Sequence, residues 1–249
     1  MPTAAVAALL AAAAAAWIIL AGRMADMDTA PGGDPGALGW FAATWALMTA
    51  AMMLPAVAPA VVRLTRAWRA QAPAGGVLFV VGYGLIWMAA GLAGYGLVVL
   101  IRGLHAEALG WSAAGRYVAG AAIVAAGLYQ LTALKRRWLA RCTAPELPLI
   151  RRRTVDALRA GAAHGGRCIA CCGSLMAALY ALGMMSLSWM AVVTALIVAE
   201  RVLEPSAVIV RGVAAILIVL GLAVAAAPAA VPGLTIPSSA PPAMMDMHM

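Results

Sequence analysis

Apolar runs of about twenty residues recur along this chain, and the short segments between them hold nearly all of its charge. A helix of that length spans the hydrocarbon core of a bilayer. In lipid, each spanning segment must satisfy its own backbone N–H and C=O groups, which leaves the α-helix as the natural solution for runs of this kind. The pattern predicts an all-α, polytopic transmembrane helical bundle of about seven helices, near residues 4–21, 39–61, 77–101, 113–134, 168–185, 188–203 and 207–227. The fifth and sixth are short and meet at Gly183-Met184-Met185-Ser186, so they read either as tilted spans or as a hairpin inside the bundle. Residues 1–227 are expected to form the bundle. Residues 228–249, rich in Pro, Ala and Ser at their start, are expected to form a flexible Met- and His-containing tail.

Only 10% of the 249 residues are charged, against about 25% in an ordinary soluble domain. The net charge of +8 does not point to a nucleic acid, because the basic residues occupy loops and are not interleaved with aromatics along one face. They read as topology determinants. Arg63, Arg66 and Arg69 form one group, and Lys135, Arg136, Arg137, Arg141, Arg151, Arg152, Arg153 and Arg159 form another. Two helices separate the groups, so both can face the cytoplasm. The positive-inside rule then places the N-terminus inside, and the segments Arg23–Leu38 and Arg102–Ser112 outside with the C-terminal tail. No Lys or Arg precedes the apolar run Met1–Leu20, which favours an uncleaved first helix over a signal peptide. The residues around Thr154–Ala163 read as a short amphipathic helix at the membrane surface or as a solvated connector. No Ser-His-Asp set, phosphate loop or His-Glu zinc motif is present, so nothing points to hydrolysis or nucleotide use.

Chemistry concentrates on sulfur. In a helix starting near residue 168, Cys168, Cys172 and Met176 recur every four residues with Cys171 beside them, so four sulfurs share one face. Thiolate with thioether suits soft ions, Cu(I) first and Zn where thiolates dominate. Arg167 and the start of a helix would both favour thiolates there. Cys142 in the preceding loop supplies a further thiolate if that loop folds back, and His164 is the nearest imidazole. Two other readings stand beside metal binding. Small thiols pack well at helix crossings, and Cys168 with Cys171 forms a Cys-x-x-Cys pair fit for dithiol chemistry.

Methionines extend the pattern. On the second helix Trp45, Met48 and Met52 share a face, Met53 follows, and Pro55 and Pro59 lie beyond; gap-filling by Met is the simpler reading. Met24, Asp26, Met27 and Asp28 fall in the first external loop, and Met184 and Met185 in an external turn. The chain ends with Met244, Met245, Asp246, Met247, His248 and Met249. Thioether and imidazole without thiol make a sensible Cu(I) ligand set where thiols would oxidise. Glu200, Arg201 and Glu204 close the sixth helix, as a functional group or as a salt bridge and anchor. Tyr129 and Gln130 are placed to hydrogen-bond between helices.

Several blocks, taken in order, resemble a bacterial family of predicted metal-binding integral membrane proteins. They are Trp45–Pro55 with its Ala-Met-Met-Leu-Pro core, Ala126–Thr132 leading to Lys135, Cys168-Ile169-Ala170-Cys171-Cys172 with Leu175-Met176, Gly183-Met184-Met185 to Trp189-Met190, and Glu200-Arg201. The resemblance spans about residues 40–204 and implies a helical membrane bundle whose ligands are the Cys and Met of these blocks. The chain departs from that pattern at Trp138, where a cysteine is usual, at Ser186, where asparagine is usual, and at Gly173, where an aromatic is common.

The sequence therefore predicts a multi-pass protein of the bacterial inner membrane that handles or delivers a soft metal, Cu(I) above zinc, and favours a non-enzymatic role over an enzymatic one without deciding between them. The expected ligands are Cys142, Cys168, Cys171, Cys172 and Met176, with Met48, Met52 and Met53 along the bundle and Met244, Met245, Met247 and His248 in the tail. Expected partners are the lipid bilayer, the ion, and a metallochaperone or membrane complex. The alternatives are a membrane thiol-disulfide oxidoreductase using Cys168 and Cys171, and a structural subunit of a larger membrane complex.

Overall fold

The computed structural model describes residues 2–24, 37–67, 72–105, 114–143, 154–183, 186–202 and 207–231. Among these there are eight α-helices and no strand: α1 Pro2–Met24, α2 Leu38–Ala67, α3 Ala72–His105, α4 Arg116–Gln130, α5 Ala133–Thr143, α6 Thr154–Gly183, α7 Leu187–Val202 and α8 Ala207–Ala226. A 3-10 turn follows at Pro228–Ala230. Asp26, Met27, Asp28, Met184, Met185, Glu204 and the ligands expected in the tail, Met244, Met245, Met247 and His248, lie outside the described residues.

Five helices are long and apolar enough to cross a membrane, or six if α4 and α5 count as one broken span. That is fewer than the expected seven, and the reasons are local. Leu187–Val202 is 16 residues long, about 24 Å, short of the hydrocarbon thickness. The expected helix 113–134 breaks at Leu131-Thr132, and α5 departs from the axis of α4 by 69°. One residue shapes this break. The Thr132 hydroxyl donates to the Tyr129 carbonyl at 2.7 Å, closing α4, and accepts from the Lys135 N–H at 3.1 Å, capping α5.

The expected helix 168–185 begins fourteen residues earlier, at Thr154. The segment read as a surface helix or connector is the first part of α6. It packs firmly because glycines let backbones meet. A Cβ at Gly161 would run into the Phe79 carbonyl, and one at Gly82 into the Leu158 carbonyl, so α3 and α6 cross on reciprocal glycines. The α4–α8 pair repeats the device: a Cβ at Gly120 would lie 2.6 Å from the Gly221 oxygen, and one at Gly221 2.7 Å from the Gly120 oxygen.

Helix α6 is the hub, in contact with α3, α4, α5 and α7, while α2 joins α1, α3 and α7. The α2 face expected from spacing is buried: Phe41, Trp45, Met48, Met52 and Met53 all enter the core, and α2 continues through Pro55 and Pro59. The Trp45 indole donates to the Trp87 carbonyl on α3 at 2.8 Å. Arg63 near the end of α2 donates to the Thr143 carbonyl at the end of α5 at 2.7 Å, so two of the basic segments share one end of the bundle.

The α3–α6 crossing gives a direct test. Gly161→Ala is expected to lower unfolding stability by about 1–3 kcal/mol through overpacking against Phe79. Gly166→Ala, whose Cβ meets nothing within 4 Å, should be neutral or stabilising by up to about 1 kcal/mol. Equilibrium unfolding in detergent would separate them, and equal effects would remove the close-approach argument.

Candidate metal centre

Helix α5 is polar in composition but carries one inward stripe. Lys135, Leu139 and Cys142 recur at i, i+4 and i+7, and all three are buried. The stripe faces α6, where Cys168, Cys171 and Cys172 are fully buried and Met176 nearly so. Cys142, Cys168 and Cys171 thus converge, their Sγ atoms all within 4.8 Å of one another. Cys172 Sγ lies 3.2 Å from Cys171 Sγ. All four cysteines are free thiols.

The three cysteines of α6 stand mid-helix, fourteen or more residues from its first residue, so no helix N-terminus assists them. The charge beside them comes from α7. Arg201 donates to Cys168 Sγ at 3.0 Å, and the Tyr83 hydroxyl from α3 lies 3.1 Å from the same sulfur. Arg201 also donates toward His164 Nε2 at 3.4 Å. His164 is not a solvated loop residue. It sits on α6 one turn before Cys168, 1% exposed, with the rings of Phe79 and Tyr83 at 5.6 and 5.9 Å.

A second charged group adjoins the thiols. Lys135 Nζ and Glu200 Oε2 are 2.7 Å apart with both side chains fully buried, and Lys135 also donates to the Cys171 carbonyl. Tyr129 donates to the Ala170 carbonyl at 2.6 Å, so α4, α5 and α7 are all tied to the same turn of α6. Lys135, read from sequence as a loop charge, is therefore an interior residue. Its seven-residue spacing to Cys142 was the available signal. Of the two roles open to Glu200, the structure shows the salt bridge. Gln130 is fully buried with neither amide atom paired, and the second Glu200 oxygen is also unpaired.

Among the other sequence-predicted ligands, Met48, Met52, Met53 and Met176 belong to the same continuous core as the thiols. Trp138, one turn before Cys142, packs against that core with the Arg141 guanidinium 5.3 Å from its ring centre. An indole thus occupies the position where the resembled family has a further cysteine.

Three thiols at this spacing are apt for one soft ion. A metal about 2.3 Å from each of three sulfurs sets them about 4 Å apart in a trigonal plane, so only a slight closure is needed. Among the described residues no imidazole or carboxylate joins the group.

A family model described as PpoB2, copper chaperone, matches residues 42–224, well over half of the chain. The chain belongs to this family. The match to the PpoB2 copper chaperones covers the blocks noted in the sequence and takes in every residue of the thiol cluster and its charged neighbours. No curated protein and no solved structure matches the chain. In this PpoB2 chain the ion pair makes a sharp prediction. Lys135→Met alone strands a buried carboxylate and should cost about 3–5 kcal/mol of stability, whereas Lys135→Met with Glu200→Leu should unfold within about 1 kcal/mol of wild type. Denaturant titration of the two variants in detergent checks this, and equal losses would refute it.

Proposed function

We propose that this protein holds Cu(I) as cargo on Cys142, Cys168 and Cys171 and passes it to another protein, from a position in the bacterial inner membrane. The observation that carries the reading is the convergence of three buried, unoxidised thiols from two helices, with no hard donor among them. Thiolates select soft ions, and a three-sulfur set suits Cu(I), whereas a structural zinc site normally closes with four ligands. Family membership supports the same ion.

Charge favours the loaded site as well. Lys135, Glu200 and Arg201 together carry one net positive charge beside the cluster. Cu(I) on three thiolates carries two negative charges, and the adjoining cation offsets one of them. That offset matters because an unpaired charge in a buried site is costly. Each thiol that binds as thiolate releases its proton, and the cation already in place at Cys168 favours that step.

The apolar spans support a membrane location, and the shared basic end at Arg63 and Arg141 supports its orientation toward the cytoplasm. On this reading the tail residues Met244, Met245, Met247 and His248 form a second, thiol-free Cu(I) station outside. The proposed cytoplasmic placement of Cys168 and Cys171 argues against the thiol-disulfide alternative, since thiols are kept reduced there.

Anaerobic Cu(I) titration against a chelating competitor tests the proposal. Wild type should bind one ion tightly in the cluster. Cys142→Ser, Cys168→Ser and Cys171→Ser should each weaken it by at least about 100-fold, and Met176→Leu by less. Truncation after residue 242 should remove a second, weaker ion without altering the first. Equal affinity in wild type and the triple serine variant would sink the copper reading.

A further inference from the structure

Cys142 is the thiol that turns a pair on one helix into a three-sulfur set, and it stands on the shortest helix of the bundle. Helix α5 is 11 residues long and leaves α4 at 69°. Leu139 and Cys142 are buried and Trp138 packs against the core, Arg63 reaches the Thr143 carbonyl from an exposed position, and Lys135 is bound at the opposite end of the helix. Of these, only Lys135 is tied at once to α6, through the Cys171 carbonyl, and to α7, through Glu200. Glu200 is followed directly by Arg201, the donor to Cys168. One ion pair therefore sets the position of Cys142 along α5 and of Arg201 along α7, relative to the two thiols of α6.

Resting on the copper reading, we propose that Lys135 and Glu200 are positioning residues that make the copper site three-coordinate. They dock α5 and α7 on the Cys171 turn, so that Cys142 joins Cys168 and Cys171 while Arg201 meets Cys168. Without the pair, Cu(I) is held by Cys168 and Cys171 alone. The pair touches neither metal nor sulfur; it acts through the helices it joins. A buried ion pair is weak evidence of stability in itself, because apolar replacements of similar size often fold as well. Its known use is to fix register and orientation, and this pair sits where register decides the ligand count.

The test is the number of sulfurs around bound Cu(I), read by X-ray absorption on detergent-purified full-length protein. Wild type should show three. Lys135→Met with Glu200→Leu should show two and bind Cu(I) about 100-fold more weakly, as loss of one ligand requires. Cys142→Ser should show the same two-sulfur spectrum, and adding Cys142→Ser to the double variant should cost little more, since both changes remove one ligand. If the double variant does not fold, Glu200→Asp keeps the charge but draws the carboxylate back by one methylene, and should weaken binding at least about tenfold in the same cycle. Three sulfurs in a folded double variant, or an additive loss with Cys142→Ser, would overturn the positioning role while leaving the copper reading intact. A wild type that binds no Cu(I) would overturn both.

Discussion

The buried contact between Lys135 and Glu200 is the constraint on which the rest of the site depends. Two opposite charges in an apolar interior are stable only in each other's company, so α5 and α7 meet wherever these residues lie on them. Neither helix is well suited to hold itself in place. One is short and polar, and the other is shorter than a bilayer is thick. The hub helix α6 receives α5 through the Cys171 carbonyl and α7 through Arg201 at Cys168, and Tyr129 brings the end of α4 to the adjacent carbonyl of Ala170. The thiols are thus assembled by polar ties. The apolar packing that surrounds them, glycine against opposing backbone at the α3–α6 and α4–α8 crossings, fixes the distances between long helices but does not select a ligand set.

Much of this was legible in the sequence, because apolar length and helical spacing report it directly. The α2 face of Trp45, Met48 and Met52 is buried as its period requires, and on α6 Cys168 and Cys171, three residues apart, bring their sulfurs within 4.8 Å of each other. Cys142 was placed in a loop, yet its reach toward Cys168 was anticipated. What escaped notice depended on tertiary context. Mean hydropathy hides a single buried lysine in a segment rich in arginine, so α5 read as a solvated loop. The α4–α5 break turns on one threonine hydroxyl serving two helices, and threonine is common within spans. The first part of α6 looked like a surface element because Asp156, Arg159 and Arg167 lie on it. Its glycines, small enough to meet α3, outweigh those charges.

Relocating the cysteines from a helix start to a helix middle changes the electrostatic argument. A helix N-terminus offers about half a unit of positive charge, screened wherever water reaches it. Mid-helix thiols gain nothing from it and would remain neutral in an apolar core. Here a full guanidinium charge replaces the helix end, held 3.0 Å from Cys168 and reaching toward His164 on its other side. A guanidinium cannot be deprotonated under ordinary conditions, so its contribution does not fade with pH.

The same arrangement bears on how an ion leaves. Three sulfurs with no exposed surface bind tightly but offer a receiving protein no ligand to displace, and a handler must give up what it holds. On the copper reading, the element whose displacement would open the site is α5, the shortest helix, held by the side chains of one face, one exposed arginine contact and one ion pair. Lifting α5 takes Cys142 away and leaves Cu(I) on two thiols of a rigid helix. Two-coordinate Cu(I) accepts a third sulfur readily, so the vacancy is where a receiving thiolate would attack.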